Sequence, residues 1–364
     1  MESKSQKIWE YVTGIFNDSL ARERNKYIAN DYSHIIGVSC FCGLFAVKRK
    51  LDPELANIIG MLHDVYRLKT GVDEYHSASG AEMCRVALRG MDFLSVDEKR
   101  IILSAIFHHS DKAHVHREYD ELIKDADLLQ SFLYSGGKRA HVSCLTRLEK
   151  LSLEMNLPID FDLVEVYGSK DQARQTIDKR NLLADTAEKL AAGTVTGSRE
   201  DAAYMNLIRY WPEDSAFDEL KNGWCAAFVY HCCREAGFHF PIKWNPHDKL
   251  RFACVAAWNT WAREPGRDYF INDAPGFIPE RGDIVLYRNS IPPENKPEEQ
   301  RDVPIDHIGI VLGTGNGEFT VAEGNVNNEN SSGILTKPLH RNIEGFIRIG
   351  NDLVYDGWKN DYQA

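Results

Sequence analysis

The apolar residues of this chain change their period partway along it, and that change limits what the chain can fold into. From Asp31 to about Leu157 they recur at helical spacing, as in Val38, Phe41, Cys42 and Phe45, then Leu55, Ile58, Ile59 and Leu62. The first half is therefore predicted to be all helix, with breaks at Asp52-Pro53, around Lys69-Thr70-Gly71, at Gly90 and at Ser135-Gly136-Gly137. After about Gly197 the pattern gives way to short β-rich runs at 283–287, 307–312, 318–321 and 345–349, separated by Gly, Asn and Pro. A helical stretch at about 171–192 precedes them. With 364 residues, 43% of them hydrophobic, the chain holds enough apolar material for two cores, and the expected domains are 1–165 and 166–364. The polar, Glu-rich segment 289–305 reads as a long exposed loop between two strands.

The net charge of −11 argues against a surface that tracks phosphates, so polymeric nucleic acid is not an expected partner. The opening residues lack a signal-peptide pattern and no window is long and apolar enough to span a bilayer. The expectation is a cytoplasmic chain without a membrane partner. Eight cysteines, at 40, 42, 84, 144, 225, 232, 233 and 254, form no C-x-x-C pair. That spacing disfavours both a disulfide scaffold and structural zinc.

Histidine and aspartate form an ordered series in the first half: His34, His63-Asp64, His76, His108-His109 and Asp127. His34 precedes Val38 by four residues, His63 follows Ile59 by four, His108 follows Ile101 by seven, and Asp127 follows Ile123 by four. Each therefore points toward an apolar stripe. Burying such groups is costly unless they are paired or bound to a cation. Imidazole with carboxylate suits Mn, Fe, Co, Ni or Zn better than calcium. Asp125 lies two residues off the inward face, and His114 and His116 fall in a polar stretch expected to be exposed.

This series, with Met61-Leu62-His63-Asp64 ending one helix and Asp125-Ala126-Asp127 in another, resembles the HD phosphohydrolase superfamily over roughly 25–155. The resemblance implies an all-α helical bundle that binds one or two divalent transition-metal ions. Its ligands would be His34, His63, Asp64 and Asp127, with Asp64 as the bridge. By the same resemblance His76 and His108 would be ligands of a second ion, ahead of His109. Arg67 and Lys112 are candidates to neutralise a substrate phosphate.

In the second half, Gly223-Trp224-Cys225-Ala226-Ala227-Phe228-Val229 places a thiol at the start of an amphipathic helix, where free amides and the helix dipole favour a thiolate. Cys232 and Cys233, two turns along, are expected in the core. His307 opens a strand and Glu323 ends the next, across a Gly-rich hairpin at 313–317, so the two can meet as base and orienting group. Asn325 is a second candidate for orienting the imidazole.

The ordered motifs Trp-Cys-Ala-Ala-Phe-Val, Pro279-Glu280-Arg281-Gly282-Asp283-Ile284-Val285, Asp306-His307-Ile308-Gly309-Ile310-Val311 and Val321-Ala322-Glu323-Gly324-Asn325 resemble the CHAP family of cysteine, histidine-dependent amidohydrolases and peptidases. The likeness covers roughly 175–350 and implies an α+β papain-like domain with an antiparallel sheet. It makes Cys225 the nucleophile, His307 the base, and Glu323 with Asn325 the orienting groups, with no cofactor. Trp258-Asn259-Thr260-Trp261 resembles the aromatic segment of some phage-endolysin members.

Together the two resemblances imply a bifunctional hydrolase. One site would act on a nucleotide or small phosphate ester and the other on an amide, with peptidoglycan peptides as the first expectation. The alternative is an HD domain that senses a nucleotide and controls a toxin- or defence-type amidase.

Overall fold

The computed structural model describes residues 3–112, 114–168, 178–221, 223–243, 250–271, 276–298 and 302–353. They form two compact units that divide between residues 175 and 176.

The first unit is built from helices α1 (Lys4–Asn17), α2 (Ser19–Arg24), α3 (Ile28–Arg49), α4 (Pro53–Leu62), α5 (Val65–Thr70), α6 (His76–Arg89), α7 (Val96–His108), α8 (Glu118–Tyr134) and α9 (Leu145–Met155). A short parallel pair, β1 (Arg139–His141) and β2 (Glu165–Tyr167), completes it. The expected breaks have local causes. Asp52 caps α4 by accepting from the Glu54 and Leu55 amides, with Pro53 in the first turn. Gly71 ends α5 at φ +68°, a left-handed conformation that a side chain would resist.

Helix α4 buries Leu55, Ala56, Ile58, Ile59, Met61 and Leu62, so it runs through the core rather than along its surface. Its approach to α3 depends on Gly60. A Cβ there would lie 2.5 Å from the Ser39 Cα, a backbone atom that cannot move alone. The close crossing brings His34 on α3 against His63, the residue that ends α4.

The second unit contains α10 (Lys179–Ala192), α11 (Ala202–Ile208), α12 (Ala216–Leu220), α13 (Cys225–Glu235) and α14 (Val255–Ala262). Residues 171–177 of the helical stretch expected at 171–192 lie outside the described residues. Strands β3 (Tyr269–Ile271), β4 (Ile284–Arg288), β5 (Ile305–Gly315), β6 (Glu318–Glu323), β7 (Gly333–Pro338) and β8 (Ile343–Ile347) form one antiparallel sheet in the order β3-β8-β4-β5-β6-β7. Asn316 and Gly317, both at positive φ, join β5 to β6. Such a turn matches the right-handed twist of the strands it connects. One sheet face carries a core of Val285, Tyr287, Val311, Phe319, Val321 and Phe346. Helix α13 packs on β5 and β6, burying Cys232 and Cys233. On α14, Trp258 and Trp261 pack against Phe240 and Phe252.

Candidate metal centre and candidate cysteine site

In the helical unit, four imidazoles converge on one carboxylate. Asp64 sits at the start of α5 with its oxygens facing opposite ways. Its Oδ2 lies 3.7 Å from His34 Nε2 and 3.6 Å from His63 Nε2, while Oδ1 lies 3.3 Å from both His76 Nε2 and His109 Nε2. Asp127, on α8, closes the first group at 3.3 Å from His34 Nε2. His34, His63 and Asp127 make one set with metal-ligand spacing, and Asp64, His76 and His109 make another.

The tautomers reveal what these groups await. His63 Nδ1 donates to the Gly60 carbonyl at 2.7 Å, His76 Nδ1 to Asp73 at 2.5 Å, and His109 Nδ1 to Ile106 at 2.6 Å. His34 Nδ1 meets the side-chain oxygen of Gln130 at 2.6 Å. A carbonyl oxygen only accepts, so each Nδ1 bears the proton and each Nε2 presents a lone pair. Those lone pairs face one another at 3.3 Å between His34 and His63 and at 2.9 Å between His76 and His109. Converging lone pairs repel unless a cation lies among them, so the donor set fits divalent ions.

Burial lowers the pKa of His63 and His109, which favours the same state, whereas at His34 burial is outweighed by Asp127 and Asp64 and the pKa is raised. Burial holds the His63 pKa down to about 4, keeping that ring neutral at physiological pH. Burial alone would raise the pKa of Asp64, but His63, His76 and His109 outweigh it and keep the carboxylate charged. Asp127 is lowered too, with Lys112 as the strongest influence opposing burial.

One sequence expectation is corrected here. His108 is not among the converging groups: its Nδ1 bonds Asp120 at 3.1 Å and its ring stacks on His116 at 3.9 Å. His109 takes the place expected for it, because the next residue at a helix end turns by about 100° and faces the core. Asp125 is held by Arg49 and Arg147 at 2.7 and 2.6 Å, away from the centre. His114 is exposed as expected, whereas His116 is mostly covered by its stacking on His108.

Arg67 and Lys112 line the cavity of about 430 Å³ that opens onto the centre. Arg67 lies 3.0 Å from Asp31 and 3.7 Å from Asp64, and Lys112 lies 2.5 Å from Asp127. Sequence reasoning missed Gln130, although it lies one turn after Asp127 on the same helix face.

In the second unit, Cys225 is the first residue of α13 and lines a cleft of about 900 Å³. His307, on β5, donates from Nε2 to Glu323 Oε2 at 3.1 Å, and both side chains are almost fully buried. Its other nitrogen, Nδ1, is buried with no hydrogen-bond partner among the described residues, which leaves it for the nearby thiol. Burial opposes the imidazolium, but Glu323 and Cys225 together push the His307 pKa up to about 10. Burial likewise opposes a charged Glu323, yet His307 and Lys337 bring its pKa down to about 2.

Gly309 makes this pairing possible. A Cβ there would lie 2.8 Å from Glu323 Cγ and 2.7 Å from Val321 Cγ2, in the path of the carboxylate toward His307. Gly309→Ala is expected to cost about 1–3 kcal/mol of stability and to slow alkylation of Cys225. Thermal unfolding and iodoacetamide labelling measure the two effects.

Asn325 departs from expectation. It adopts a left-handed conformation at φ +50°, and its amide bonds Asn328 and the Asn330 backbone rather than His307. It shapes the turn after β6. The loop at 289–305 is also more anchored than its polarity suggested. Lys296, buried, pairs with Asp306 at 2.7 Å, and Ile291, Pro297 and Val303 line the cleft.

Comparison with known proteins finds one domain match in each unit. Residues 31–131 match the HD domain and residues 217–325 match the CHAP domain. Among curated proteins the chain is similar to ribonuclease Y of Chlorobium luteolum, 29% identical over 50% of this chain and 33% of that protein. It is also similar to ribonuclease Y of Thermus thermophilus, 26% identical over 49% of this chain and 29% of that protein. The chain thus spans about a third of the length of these relatives. No solved structure matches. Among the described residues no helix is long and apolar enough to cross a membrane. The helical unit thus carries a match to the HD domain and the second unit a match to the CHAP domain, and both are hydrolase families.

Proposed function

We propose that the HD centre hydrolyses a nucleotide-type phosphate ester and that the CHAP site cleaves an amide bond through Cys225. The first assignment is carried by the Asp64 carboxylate, whose two oxygens each face a pair of imidazole lone pairs. Such a carboxylate suits a bridge between two divalent ions. The ions would be held by His34, His63 and Asp127 on one side and His76 and His109 on the other. When bound, they supply Lewis acidity to the phosphoryl oxygens and acidify a water. The chain's own contribution is to hold the ligands rigidly through their Nδ1 bonds and to place Lys112 and Arg67 where a phosphate enters. The names of the ribonuclease Y relatives favour a nucleotide phosphodiester as the substrate class.

At the second site Cys225 Sγ would attack the amide carbonyl carbon while His307 passes its proton to the leaving amine. Water then cleaves the thioester and returns both groups to their starting state. The Cys225 backbone N–H at the helix start would donate to the developing oxyanion. The cleft beside Cys225, with Trp211, Leu250, Val255 and Ile291 in its wall, suits a peptide-sized substrate.

The phosphoester reading is tested on the full chain with bis(p-nitrophenyl) phosphate. Hydrolysis is expected with added Mn²⁺, to vanish after chelation and to return on adding Mn²⁺ back. Hydrolysis that survives complete metal removal would refute it.

A further inference from the structure

Glu323 has a second partner that the nucleophile and base do not require. Lys337, on the edge strand β7, places Nζ 2.6 Å from Glu323 Oε1, the oxygen not used by His307. The same ammonium lies 4.1 Å above the Tyr287 ring, and that ring stacks on His307 with centroids 5.8 Å apart. The sheet register places all four residues on one face. Tyr287 pairs with His307 across β4 and β5, and Lys337 pairs with Phe319, four residues before Glu323. A carboxylate this buried needs both oxygens satisfied, and a lone imidazole satisfies one.

We propose that Lys337 is a positioning residue for the cysteine site, fixing Glu323 on the His307 imidazole and offsetting part of its negative charge. The proposal rests on reading Cys225 and His307 as nucleophile and base. With one oxygen held by the ammonium, the carboxylate cannot rotate away from Nε2. The cation also limits how strongly Glu323 holds the imidazolium proton, which His307 must release to the leaving amine in every turnover. The Tyr287 ring contacts both groups, lying under the Lys337 ammonium and stacking on the His307 imidazole.

Among the described residues, the charged or titratable groups around His307 are Cys225 from α13, Tyr287 from β4, Glu323 from β6 and, behind it, Lys337 from β7. The neighbouring Asp306 turns instead to Lys296 and to the Ser290 and Ile291 amides. Removing the Lys337 charge therefore strengthens the hold of Glu323 on the His307 proton, and the ring should release that proton at higher pH.

The test follows the His307 ring by NMR in the full chain with labelled histidine, assigned with His307→Asn. It is run in a Cys225→Ser background so that the thiolate does not contribute. Lys337→Gln should move the His307 midpoint upward by about half a pH unit, and Lys337→Arg should leave it in place. Glu323→Gln, which reaches the same coupling from the other side, should lower the midpoint and make it insensitive to Lys337→Gln. The proposal is overturned if Lys337→Gln titrates like its parent, if Lys337→Arg shifts as far as Lys337→Gln, or if the shift persists without the Glu323 charge. A separate measurement guards the underlying reading. Iodoacetamide should label Cys225 of the wild-type chain ahead of its seven other thiols, and failure there would remove the site assignment and this proposal with it.

Discussion

Replacing Cys225 with alanine is expected to lower amide hydrolysis by about 10⁵-fold while leaving phosphoester hydrolysis at its wild-type rate. The size of the effect follows from the geometry. Among the described groups, the thiol is what the free His307 Nδ1 can activate, and the buried Glu323 holds the ring in that orientation. Without the sulfur atom, His307 would have to activate water in a site shaped for a side chain, and a covalent intermediate could not form. The second half of the expectation follows from the separation into two compact units, each with its own core and its own donor groups. Assays of both activities on one preparation measure it. An alanine variant that kept its amidase rate would show that another group is the nucleophile. Equal loss of both activities would show that the substitution acts through folding.

Replacing Asp64 with alanine should be the most damaging single change at the metal centre. It removes the group that, among the described residues, faces both histidine pairs, and leaves four imidazoles without that shared anion. Bound metal should fall from the wild-type content toward zero by elemental analysis, and phosphoester hydrolysis should fall at least about 10³-fold. The neighbouring histidines provide a sharper comparison. His109→Ala should lose most of the activity, because its Nε2 faces Asp64 at 3.3 Å. His108→Ala should retain most of it, since that ring bonds Asp120 and stacks on His116. The reverse ranking would overturn the assignment of His109 to the centre.

Much of each site could be read from residue order because regular elements fix direction. On a helix, a residue four positions from a buried apolar one shares its face, so His34, His63 and Asp127 could be placed inward before any contact was known. Cys225 was legible in the same way, since the apolar pattern that follows it fixes the helix start. His307 and Glu323 could be joined because two strands separated by a short glycine-rich turn become neighbours.

Legibility failed where elements end. His108 ends α7 and His109 follows it, so one residue of phase decides which ring enters the centre. Asn325 was read as a second group to orient the imidazole, but the chain turns left-handed there and the amide is consumed locally. Lys337 gave no signal at all. It is one lysine among many until the β6–β7 register carries it to Glu323. The sequence by itself determined the two domain classes, the helix-start thiol and the inward-facing histidines, because periodicity and chain order are local properties. Only the tertiary structure decided which histidine joins Asp64 and which cation holds Glu323, because those choices depend on distances between elements far apart in the chain.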